Sequence, residues 1–454
     1  MSDPQLPSII TRRDFLARSA AAGMVLGAPA ILHASSKTPS DTINVALIGY
    51  GKQGEVLFNA MRNIPGIRIQ AVCDMWDRRV VRGVRDARSR QGDAPNGYGD
   101  IDDMLSKEKG LDAAIVATPD FWHAPHTIKC LEAGLDVYCE KMMAHTIEDA
   151  RSIVISAERT GKLCQVGHQR RSNPRYRFAL DQLINNHNIC GQITNINGQW
   201  NRSLRASQDI GYSERITIDS DILQRYGYKD MHQFMNWRTY TDLSGGPISD
   251  LGAHQIDIYN WYLGVLPKRV YASGSNPYFK NREHFDNVMC IFDYDTPQGA
   301  VSAFYQVLTT TGAGKGFYET FMGTEGALTI SEIAAQSAIY RETGENTDAK
   351  WNDLVARGFL KRASTPVYAQ SNEDDEGAVA SYASPPPEAY ELPGGFHEPA
   401  HAPHLANFFS AMRGKESLNC DARKAFESEA PIFWVNPSAR LEEPINFTQE
   451  HLSV

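Results

Sequence analysis

The feature that most constrains the fold is an apolar run that passes directly into a glycine-rich turn. Residues Ile43–Ile48 are mostly apolar, residues 49–54 read GYGKQG, and apolar side chains then recur at helical spacing over residues 55–62. A continuous apolar run suits a strand that is buried on both faces of a parallel sheet. The sequence therefore predicts a strand, a tight turn and a helix in immediate succession.

The glycines of this turn have separate mechanical roles in a dinucleotide site. Gly49 permits the tight turn, Gly51 allows the backbone to approach a diphosphate, and Gly54 allows the helix to pack closely on the strand. Lys52 and Gln53 lie between them, at the positive end of the predicted helix, which attracts phosphates. We therefore expect a dinucleotide to bind here.

An acidic residue follows the next apolar strand and bears on the choice of cofactor. This strand, Ile67–Cys73, ends in Asp74, twenty residues after Gly54. A carboxylate at this place accepts hydrogen bonds from both ribose hydroxyls and repels a 2′-phosphate, which favours NAD over NADP. Arg78 and Arg79 leave NADP open, and a helix N-cap is the structural alternative for the aspartate.

Strand and helix patterns continue to alternate after this point. The predicted elements lie at residues 112–118, 123–133, 136–139, 147–160 and 163–167. Repeated β-α-β units predict a doubly wound parallel sheet, in which ligands bind beyond the carboxyl ends of the strands. Six residues fall at those ends and are predicted to line one crevice: Thr118, Pro119, Glu140, Lys141, His168 and Gln169.

Alternating or mixed polarity replaces this pattern in the second half of the chain. The segments are residues 193–200, 269–274, 287–294, 300–308 and 318–323, and they predict a large, mostly antiparallel sheet with one face covered. The predicted fold class is α/β, with a Rossmann domain at residues 42–167 and an α+β domain at residues 168–454. An exposed sheet face suits formation of a dimer or tetramer. Residues 336–395 are rich in Gly, Pro, Ser and acidic residues and predict a polar surface excursion.

The stretch GGPISDLGAHQIDIYNWYLG at residues 245–264 carries a candidate proton-transfer group. If residues 250–263 are helical, Asp250, His254 and Asp257 fall at i, i+4 and i+7 on one stripe. An imidazole flanked by carboxylates on both adjacent turns is held in one tautomer, with its charged form favoured. A capping aspartate and a hydrogen-bonded core histidine are the structural alternative.

Lys141 presents a similar choice. A lysine directly after a buried strand commonly extends its amine to solvent. At the carboxyl end of a cofactor-binding sheet it is instead partly desolvated, which lowers its pKa towards the working range of an acid or base. The residues alone leave both interpretations open.

Three stretches in the same order resemble the Gfo/Idh/MocA (glucose-fructose oxidoreductase, inositol dehydrogenase, rhizopine catabolism) family. They read INVALIGYGKQG, ATPDFWHAPHTIKCLEAGLDVYCEKM and GGPISDLGAHQID, and the resemblance spans roughly residues 42–330. It implies a Rossmann domain followed by an open α/β sheet domain. It also implies a homo-oligomeric enzyme of carbohydrate metabolism that oxidises or reduces a hydroxyl of a sugar, glycoside or cyclitol with NAD or NADP.

The resemblance also assigns residues. Lys141 matches the catalytic lysine of an E-K-P motif, and Asp250 and His254 match a D-x-x-x-H pair. Met142 stands where the family has a proline, so the rigidity that proline gives to this turn is missing. The positions implied to contact the cofactor are Thr118, Pro119, His123, Glu140, Trp237 and Arg238.

Three functions are compatible with these residues. A sugar or polyol dehydrogenase or reductase would use His254, oriented by Asp250, to take the hydroxyl proton, while Lys141 hydrogen-bonds the developing alkoxide. An NAD-dependent glycosidase, resembling some family members, would oxidise its substrate transiently, eliminate the leaving group, add water and reduce the product again. A non-catalytic sugar sensor would need no acid–base set.

Residues 1–34 are predicted to be an export signal. Residues 8–34 place Arg12-Arg13, Phe15-Leu16, a weakly apolar stretch and small residues in the order of a twin-arginine signal; a surface helix with a chance arginine pair is the alternative. The apolar stretch is shorter than the ~20 residues that a membrane span needs. We therefore expect a periplasmic or secreted protein that uses the twin-arginine (Tat) export machinery and is not inserted in a membrane. Because this route carries folded proteins, a tightly bound cofactor is expected.

Charge and composition exclude other partners. The chain has 45 Lys and Arg against 54 Asp and Glu, a net charge of −9, which provides no basic field for nucleic acid. Its seven cysteines include no C-x-x-C pair and predict neither a disulfide framework nor a zinc site. Prolines separate His397, His401 and His404, so we expect capping or solvent exposure before a helix at residues 405–413 and no metal site.

Overall fold

The computed structural model describes residues 42–204, 209–314, 316–342, 348–363, 388–396 and 399–454. The predicted signal at residues 1–34 and His397 lie outside the described residues, as does much of the predicted excursion at residues 336–395. Within the part of the chain that the structure describes, no helix combines the length and the apolar character that crossing a bilayer requires.

Six parallel strands form the first sheet: β1 (Ile43–Ile48), β2 (Ile67–Cys73), β3 (Asn96–Tyr98), β4 (Ala113–Val116), β5 (Asp136–Cys139) and β6 (Cys164–Val166). The helices between them are α1 (Lys52–Ala60), α2 (Asp77–Gln91), α3 (Ile101–Lys107), α4 (Asp120–Glu132) and α5 (Ile147–Thr160). The order is β3-β2-β1-β4-β5-β6, so the winding reverses between β1 and β4 and a crevice opens there at the carboxyl ends. The predicted doubly wound sheet is confirmed.

Two details of this sheet differ from the prediction. Strand β3 was not predicted because its sequence, NGY, contains no apolar run and is largely exposed. Helix α4 begins at Asp120 and not at residue 123, because Pro119 holds the last extended backbone position and an acidic residue follows it. A carboxylate is favourable at the positive end of a helix.

The second sheet of the described residues has ten strands: β7 (Ile193–Asn201), β8 (Arg269–Ser275), β9 (Asn287–Thr296), β10 (Gly299–Leu308), β11 (Phe317–Gly323), β12 (Gly326–Ile330), β13 (Ala338–Arg341), β14 (Lys361–Arg362), β15 (Glu388–Glu391) and β16 (Ile445–Asn446). Their order is β14-β15-β13-β12-β11-β7-β10-β9-β8-β16. Strands β7 and β10 are parallel and the other pairs are antiparallel. The predicted mostly antiparallel sheet is confirmed, and the five predicted strands agree with β7 to β11 to within two residues at each end.

The helices of the second half are α6 (Pro174–Phe178), α7 (Ser220–Arg225), α8 (Met231–Met235), α9 (Ala253–Leu263), α10 (Asp348–Ala356), α11 (Ala402–Met412), α12 (Ala422–Glu429), α13 (Val435–Leu441) and α14 (Gln449–Leu452). Helix α9 packs on the covered face of the second sheet. The helix predicted at residues 250–263 is not uniform, since a π-helical turn at Ile248–Gly252 precedes α9. A π-helical turn changes which side chains share a face.

The C-terminal part of the chain returns to the first sheet. Leu405, Phe408 and Phe409 of α11 are buried in the same core cluster as Leu57 and Met61. Helix α12 is buried in a second cluster with α5. The core around the first sheet is therefore completed by residues from the C-terminal part of the chain, and the predicted domain boundary at residues 167/168 stays a prediction.

An aromatic segment of the second half, residues 218–243, covers the first sheet near β2 and α4. Trp122 Nε1 donates a hydrogen bond to the Tyr226 carbonyl oxygen at 3.0 Å, and Tyr226 Oη donates to the Gly99 carbonyl oxygen at 3.1 Å. Phe234 packs edge-on against Trp76 with ring centroids 5.8 Å apart. We call residues 218–243 the aromatic cover.

Candidate active site

The glycine turn after β1 is shaped by contacts too close for a side chain. Gly49 has a φ of +87°, and a Cβ on it would lie 2.6 Å from the Ala117 carbonyl oxygen. A Cβ on Gly54 would lie 2.1 Å from the Gly49 carbonyl oxygen. A Cβ on Gly51 would meet nothing closer than the Arg79 guanidinium at 3.5 Å, because Gly51 faces a cavity at the start of α1. The turn therefore fits an anionic diphosphate at the positive end of a helix.

Asp74 is buried at the end of β2 beside this turn. Its Oδ2 accepts a hydrogen bond from Tyr50 N at 2.8 Å, and its Oδ1 accepts one from Trp76 N at 2.9 Å. Burial raises the pKa of Asp74, and Arg79, with Nη1 3.8 Å from Oδ2, opposes that rise together with the two backbone N–H groups. Each oxygen of an ionised carboxylate has a further lone pair, which fits a ribose hydroxyl.

A cavity of about 590 Å³ extends from the turn to the second sheet. Its volume lies in the range typical of small-molecule sites. The sequence-predicted residues that line it are Gly51, Lys52, Gln53, Thr118, Pro119, His123, Glu140, Lys141, Gln169, Trp237, Arg238, Asp250 and His254. Gly49 and Asp74 line a smaller pocket of about 50 Å³ beside it, under the aromatic cover, and Gly54 supports the turn from behind.

The Lys141 amine crosses from the first sheet to the second half of the protein. Lys141 follows β5, its peptide bond to Met142 is cis, and its side chain is 10% exposed. The amine donates a hydrogen bond to the backbone carbonyl oxygen of Asp250 at 2.5 Å, and Asp250 Oδ1 lies 3.8 Å away. The amine is therefore directed into the cavity and not to bulk solvent.

Asp250 is held as an anion between two cations. Arg238 Nε donates a hydrogen bond to Asp250 Oδ1 at 3.2 Å, and the Arg238 guanidinium stacks on Trp237 at 4.2 Å from the ring centroid. Burial raises the pKa of Asp250, but Arg238 and Lys141 outweigh burial and lower the pKa to about 2. Asp250 is therefore ionised across the neutral pH range.

His254 does not have the two carboxylate neighbours that the helical stripe predicted. Among the described residues, its Nδ1 is buried without a hydrogen-bond partner, and its ring lies 5.7 Å from the Trp200 ring. The π-helical turn at Ile248–Gly252 is the physical reason, since it removes the regular i, i+4 alignment with Asp250. Asp257 is instead bound to Arg171 through a 2.7 Å contact to Arg171 Nη2.

The charge state predicted for His254 is also wrong. Burial lowers the pKa of His254 well below its ordinary value, and the positive charges of Lys141 and Arg170 lower it further. The imidazole is therefore neutral at pH 7, and its charged form is disfavoured.

His123 is a second neutral imidazole at this site. Its Nδ1 lies 2.7 Å from the Met142 carbonyl oxygen, which can only accept, so Nδ1 carries the proton and Nε2 is unprotonated. Burial lowers the pKa of His123. The histidine thus fixes the residue that follows Lys141.

Several polar atoms that line the cavity are buried and lack a hydrogen-bond partner among the described residues. They are His123 Nε2, Glu140 Oε1, Gln169 Oε1 and His254 Nδ1. Unpartnered buried polar groups are costly and rare in native proteins. Four such atoms line one cavity beside the glycine turn, which fits a site that binds a polar ligand.

Asp120 is a lining residue that the sequence analysis missed. Burial raises its pKa to about 7, although Arg238 and Lys141 act in the opposite direction. Its position directly after Thr118 and Pro119, at the carboxyl end of a strand, was the signal that could have identified it. The other missed lining residues include Trp200, Arg202, Glu332 and His401.

The prediction for the C-terminal histidines is wrong for His404, whereas His401 stands at the N-cap position before α11, as expected, although its side chain caps no backbone group. His401 lines the cavity, where its Nε2 lies 3.1 Å from Gln53 Nε2. His404 is fully buried, with Nδ1 2.6 Å from Ser172 Oγ and Nε2 2.8 Å from the Val166 carbonyl oxygen. The cause is that Pro403 occupies the first turn of α11, where proline is compatible with a helix.

Two family models match this chain. A model of an oxidoreductase family with an NAD-binding Rossmann fold (GFO_IDH_MocA) matches residues 43–168, and a model of the GFO/IDH/MocA C-terminal domain matches residues 187–329. Together they cover more than half of the chain.

The chain is also similar to individual proteins. A 2,7-anhydro-N-acetylneuraminate hydratase from Mediterraneibacter gnavus is 25% identical over 52% of this chain and 53% of the relative. A glycosyl hydrolase family 109 protein from Shewanella baltica is 31% identical over 35% of this chain and 39% of the relative. The matches thus span about half or less of these curated relatives. A levoglucosan dehydrogenase solved with NADH and levoglucosan shares the fold, with a TM-score of 0.64 at 17% identity over 89% of this chain and 99% of that chain.

The raised pKa of Asp120 predicts a pH-dependent effect of Asp120→Asn on stability. The native state favours the protonated carboxyl of Asp120, so its contribution to stability is fully present below about pH 4. This contribution is lost as the pH rises from 4 to 7. Above pH 7 the native state contains a buried carboxylate. Asparagine carries no such penalty. We expect the gain in unfolding free energy of Asp120→Asn over the wild type to grow from pH 4 to pH 8, by up to about 4 kcal/mol, measured by denaturant titration.

Asp77→Asn is the matched control, because Asp77 is also the first residue of a helix but is exposed. Its effect on unfolding free energy should not grow in the same way over this pH range. Equal pH dependence of the two variants would show that burial of Asp120 is not the cause.

Proposed function

Since the chain belongs to the Gfo/Idh/MocA family of oxidoreductases, whose first domain is an NAD-binding Rossmann fold, we propose that it is an NAD-dependent oxidoreductase. In this proposal it transfers hydride between NAD and a carbon that bears a hydroxyl group in a sugar, glycoside or cyclitol. The observation that carries the proposal is the single cavity that joins the glycine turn to Lys141, Asp250 and His254. Proton and hydride transfer at one carbon require a nucleotide site and protonatable groups in one place.

The residues present fit the cofactor. NAD would supply the hydride acceptor or donor. The glycine turn, Lys52 and Gln53 would hold the diphosphate, and Asp74 would hold the ribose. Arg79 beside Asp74 leaves NADP open as the alternative. The residues that would surround the nicotinamide end are Thr118, Pro119, His123, Glu140, Gln169, Trp237 and Arg238.

His254 and Lys141 divide the proton chemistry between them. Neutral His254 has an unprotonated nitrogen that takes the proton of the substrate hydroxyl. The Lys141 amine has three N–H groups, of which one is bound to the Asp250 carbonyl oxygen, so the others can donate to the substrate oxygen as negative charge develops. Asp250 orients Lys141 and Arg238 and does not orient His254.

The cofactor is proposed to be retained between turnovers. The aromatic cover lies over the pocket that contains Asp74, and Tyr226, Tyr228 and Phe234 line that pocket together with Trp122. Release of a nucleotide from there requires the cover to move and to break the Trp122–Tyr226 hydrogen bond. Slow exchange of the cofactor is the expected consequence.

A second candidate is an NAD-dependent glycosidase, and the names of two relatives favour it. A hydratase and a glycosyl hydrolase catalyse reactions without net oxidation or reduction. In this candidate a ring hydroxyl is oxidised transiently to a ketone, which acidifies the neighbouring C–H group. Loss of that proton and of the leaving group, addition of water and reduction of the ketone then give hydrolysis overall. Retention of the cofactor suits this cycle, because it is returned unchanged.

The two candidates are distinguished by one set of assays on the purified full chain. The denatured protein should release NAD, detected by mass spectrometry. With added NAD and a panel of sugars, cyclitols and nitrophenyl glycosides, the first candidate predicts reduced nicotinamide, and the second predicts nitrophenol release without reduced nicotinamide. Lys141→Met and His254→Gln should each lower kcat by about 10²- to 10⁴-fold.

Lys109→Met is the control variant, because Lys109 is exposed and does not line the cavity. It should retain the wild-type kcat. If the double variant at Lys141 and His254 kept full turnover, the proton chemistry would have to be assigned to other residues. If no panel member reacted and no hydride exchanged, both enzymatic candidates would be contradicted and the sugar sensor would be favoured.

We also propose export by the twin-arginine route to the periplasm or medium. The support is the order of Arg12-Arg13, Phe15-Leu16 and small residues in the sequence. Changing both arginines to lysine should leave the protein in the cytoplasmic fraction of a bacterial host, whereas the wild type should appear in the periplasmic fraction, detected by immunoblotting. Identical fractionation of both chains would contradict the proposal.

We also propose that the protein forms a homodimer or homotetramer through the open face of the second sheet. The support is a row of exposed apolar side chains on β8 and β9, Tyr271, Met289 and Ile291, at 46%, 44% and 42% exposure. Ile291→Glu should convert the oligomer to a monomer in sedimentation equilibrium because it places a charge in an apolar contact. A wild-type chain that sediments as a monomer would overturn this proposal.

A further inference from the structure

Glu429 is a buried carboxylate that the proposed chemistry does not use. It is the last residue of α12, it is fully buried, and both of its oxygens are hydrogen-bonded. Oε1 lies 2.7 Å from His168 Nε2, and Oε2 accepts from Met143 N at 2.8 Å. A helix near the end of the chain is thereby bound to the turn that follows β5.

The bond to Met143 fixes the turn that carries Lys141. The two backbone groups that follow Lys141 are each held by a distant side chain, the Met142 carbonyl by His123 and the Met143 N–H by Glu429. Met142 and Met143 are both buried, so water is a poor substitute for either partner. The backbone from which the Lys141 side chain leaves is therefore constrained by contacts from α4 and from α12.

The other arm of this network reaches the helix that carries His254. His168 Nδ1 lies 3.6 Å from Asp257 Oδ2, and Asp257 is three residues after His254 on α9. Ser428 Oγ donates to Asp257 Oδ1 at 2.7 Å. Two adjacent residues of α12 therefore bind the two catalytic elements, Glu429 the Lys141 turn and Ser428 the His254 helix.

We propose that Glu429 is a positioning residue that sets the place of the Lys141 amine relative to His254. The proposal rests on the proposed function, in which these two groups act on one substrate. A carboxylate suits the position because it offers two acceptor oxygens to two buried N–H donors. Both oxygens of Glu429 have partners, and His168 Nδ1 lies 3.6 Å from Asp257 Oδ2, which belongs to the carboxylate that binds Arg171.

The experiment measures the reactivity of the Lys141 amine directly, without requiring turnover. The full chain is treated with an acetylating reagent over a range of pH, and acetylation of Lys141 is followed by peptide mass spectrometry. Glu429→Leu removes both acceptors at similar volume, and Glu429→Asp keeps the charge but shortens the reach by one methylene. In both variants the hydrogen bond to Met143 N–H is lost or weakened, which predicts about a tenfold faster modification of Lys141, with a changed pH profile.

Two further variants separate positioning from a general loss of stability. Glu429→Gln keeps an acceptor for Met143 N–H, and its amide can donate to the other tautomer of His168, so it should restore the wild-type rate and pH profile. Ser428→Ala removes the adjacent bond to Asp257 and should leave Lys141 modification unchanged. All reactions are run well below the melting temperature of each variant. If Glu429→Leu does not fold, the rate of Lys141 acetylation in Glu429→Asp tests the proposal.

Wild-type modification rates and pH profiles at Lys141 in Glu429→Leu and Glu429→Asp would overturn the proposal. Equal acceleration by Ser428→Ala and Glu429→Asp would also overturn it, because it would indicate loosening of α12 in general. Where a substrate is found, Glu429→Asp should lower kcat with little change in KM. If the modification results hold and no sugar or glycoside reacts, the proposed function fails while the positioning role stands.

Discussion

The hydrogen bond from the Lys141 amine to the Asp250 carbonyl oxygen is the contact on which the candidate site depends. A lysine directly after a buried strand commonly extends its amine to solvent. Its bond to the backbone of the second half commits the amine to the cavity, at 2.5 Å. Asp250 contributes two separate groups, since its carbonyl binds Lys141 while its carboxylate binds Arg238 at 3.2 Å. A different side chain at position 250 would therefore still leave a backbone carbonyl oxygen that can bind the Lys141 amine.

Environment gives three ionisable groups of one cavity different states at neutral pH. Two cations hold the pKa of Asp250 at about 2, so it is a permanent anion. Burial and nearby positive charge keep His254 neutral. Burial raises the pKa of Asp120 to about 7, so of these three groups Asp120 is the one that changes its charge near physiological pH. Groups whose pKa values are driven apart by their surroundings are what acid–base chemistry at a single pH requires.

Local patterns predicted the first sheet and the five central strands of the second sheet, because apolar runs and alternation report burial directly. The short strands were missed for the same reason, since Asn96–Tyr98 and Lys361–Arg362 have no apolar residue pattern and depend on their neighbours. Thr118, Pro119, Glu140, Lys141 and Gln169 could be placed at the cavity from local patterns, because the ends of parallel strands converge. His123, Trp237 and Arg238 were identified only through the resemblance to the family. The surroundings of His254 were not, because a π-helical turn and the partners of Asp257 are set by packing between distant segments.

The burial of Leu405, Phe408 and Phe409 against α1 and β1 has a consequence for modularity. A fragment that ends after β6 would contain every strand of the first sheet, but the apolar surface that α11 covers would be exposed to water. A chimaera that joins this sheet to a different second domain would therefore also need α11 and α12, although these helices lie more than two hundred residues after β6 in the sequence. The described part of the nucleotide sheet and the helix at residues 402–412 therefore form one folding unit, although the second sheet lies between them in the sequence.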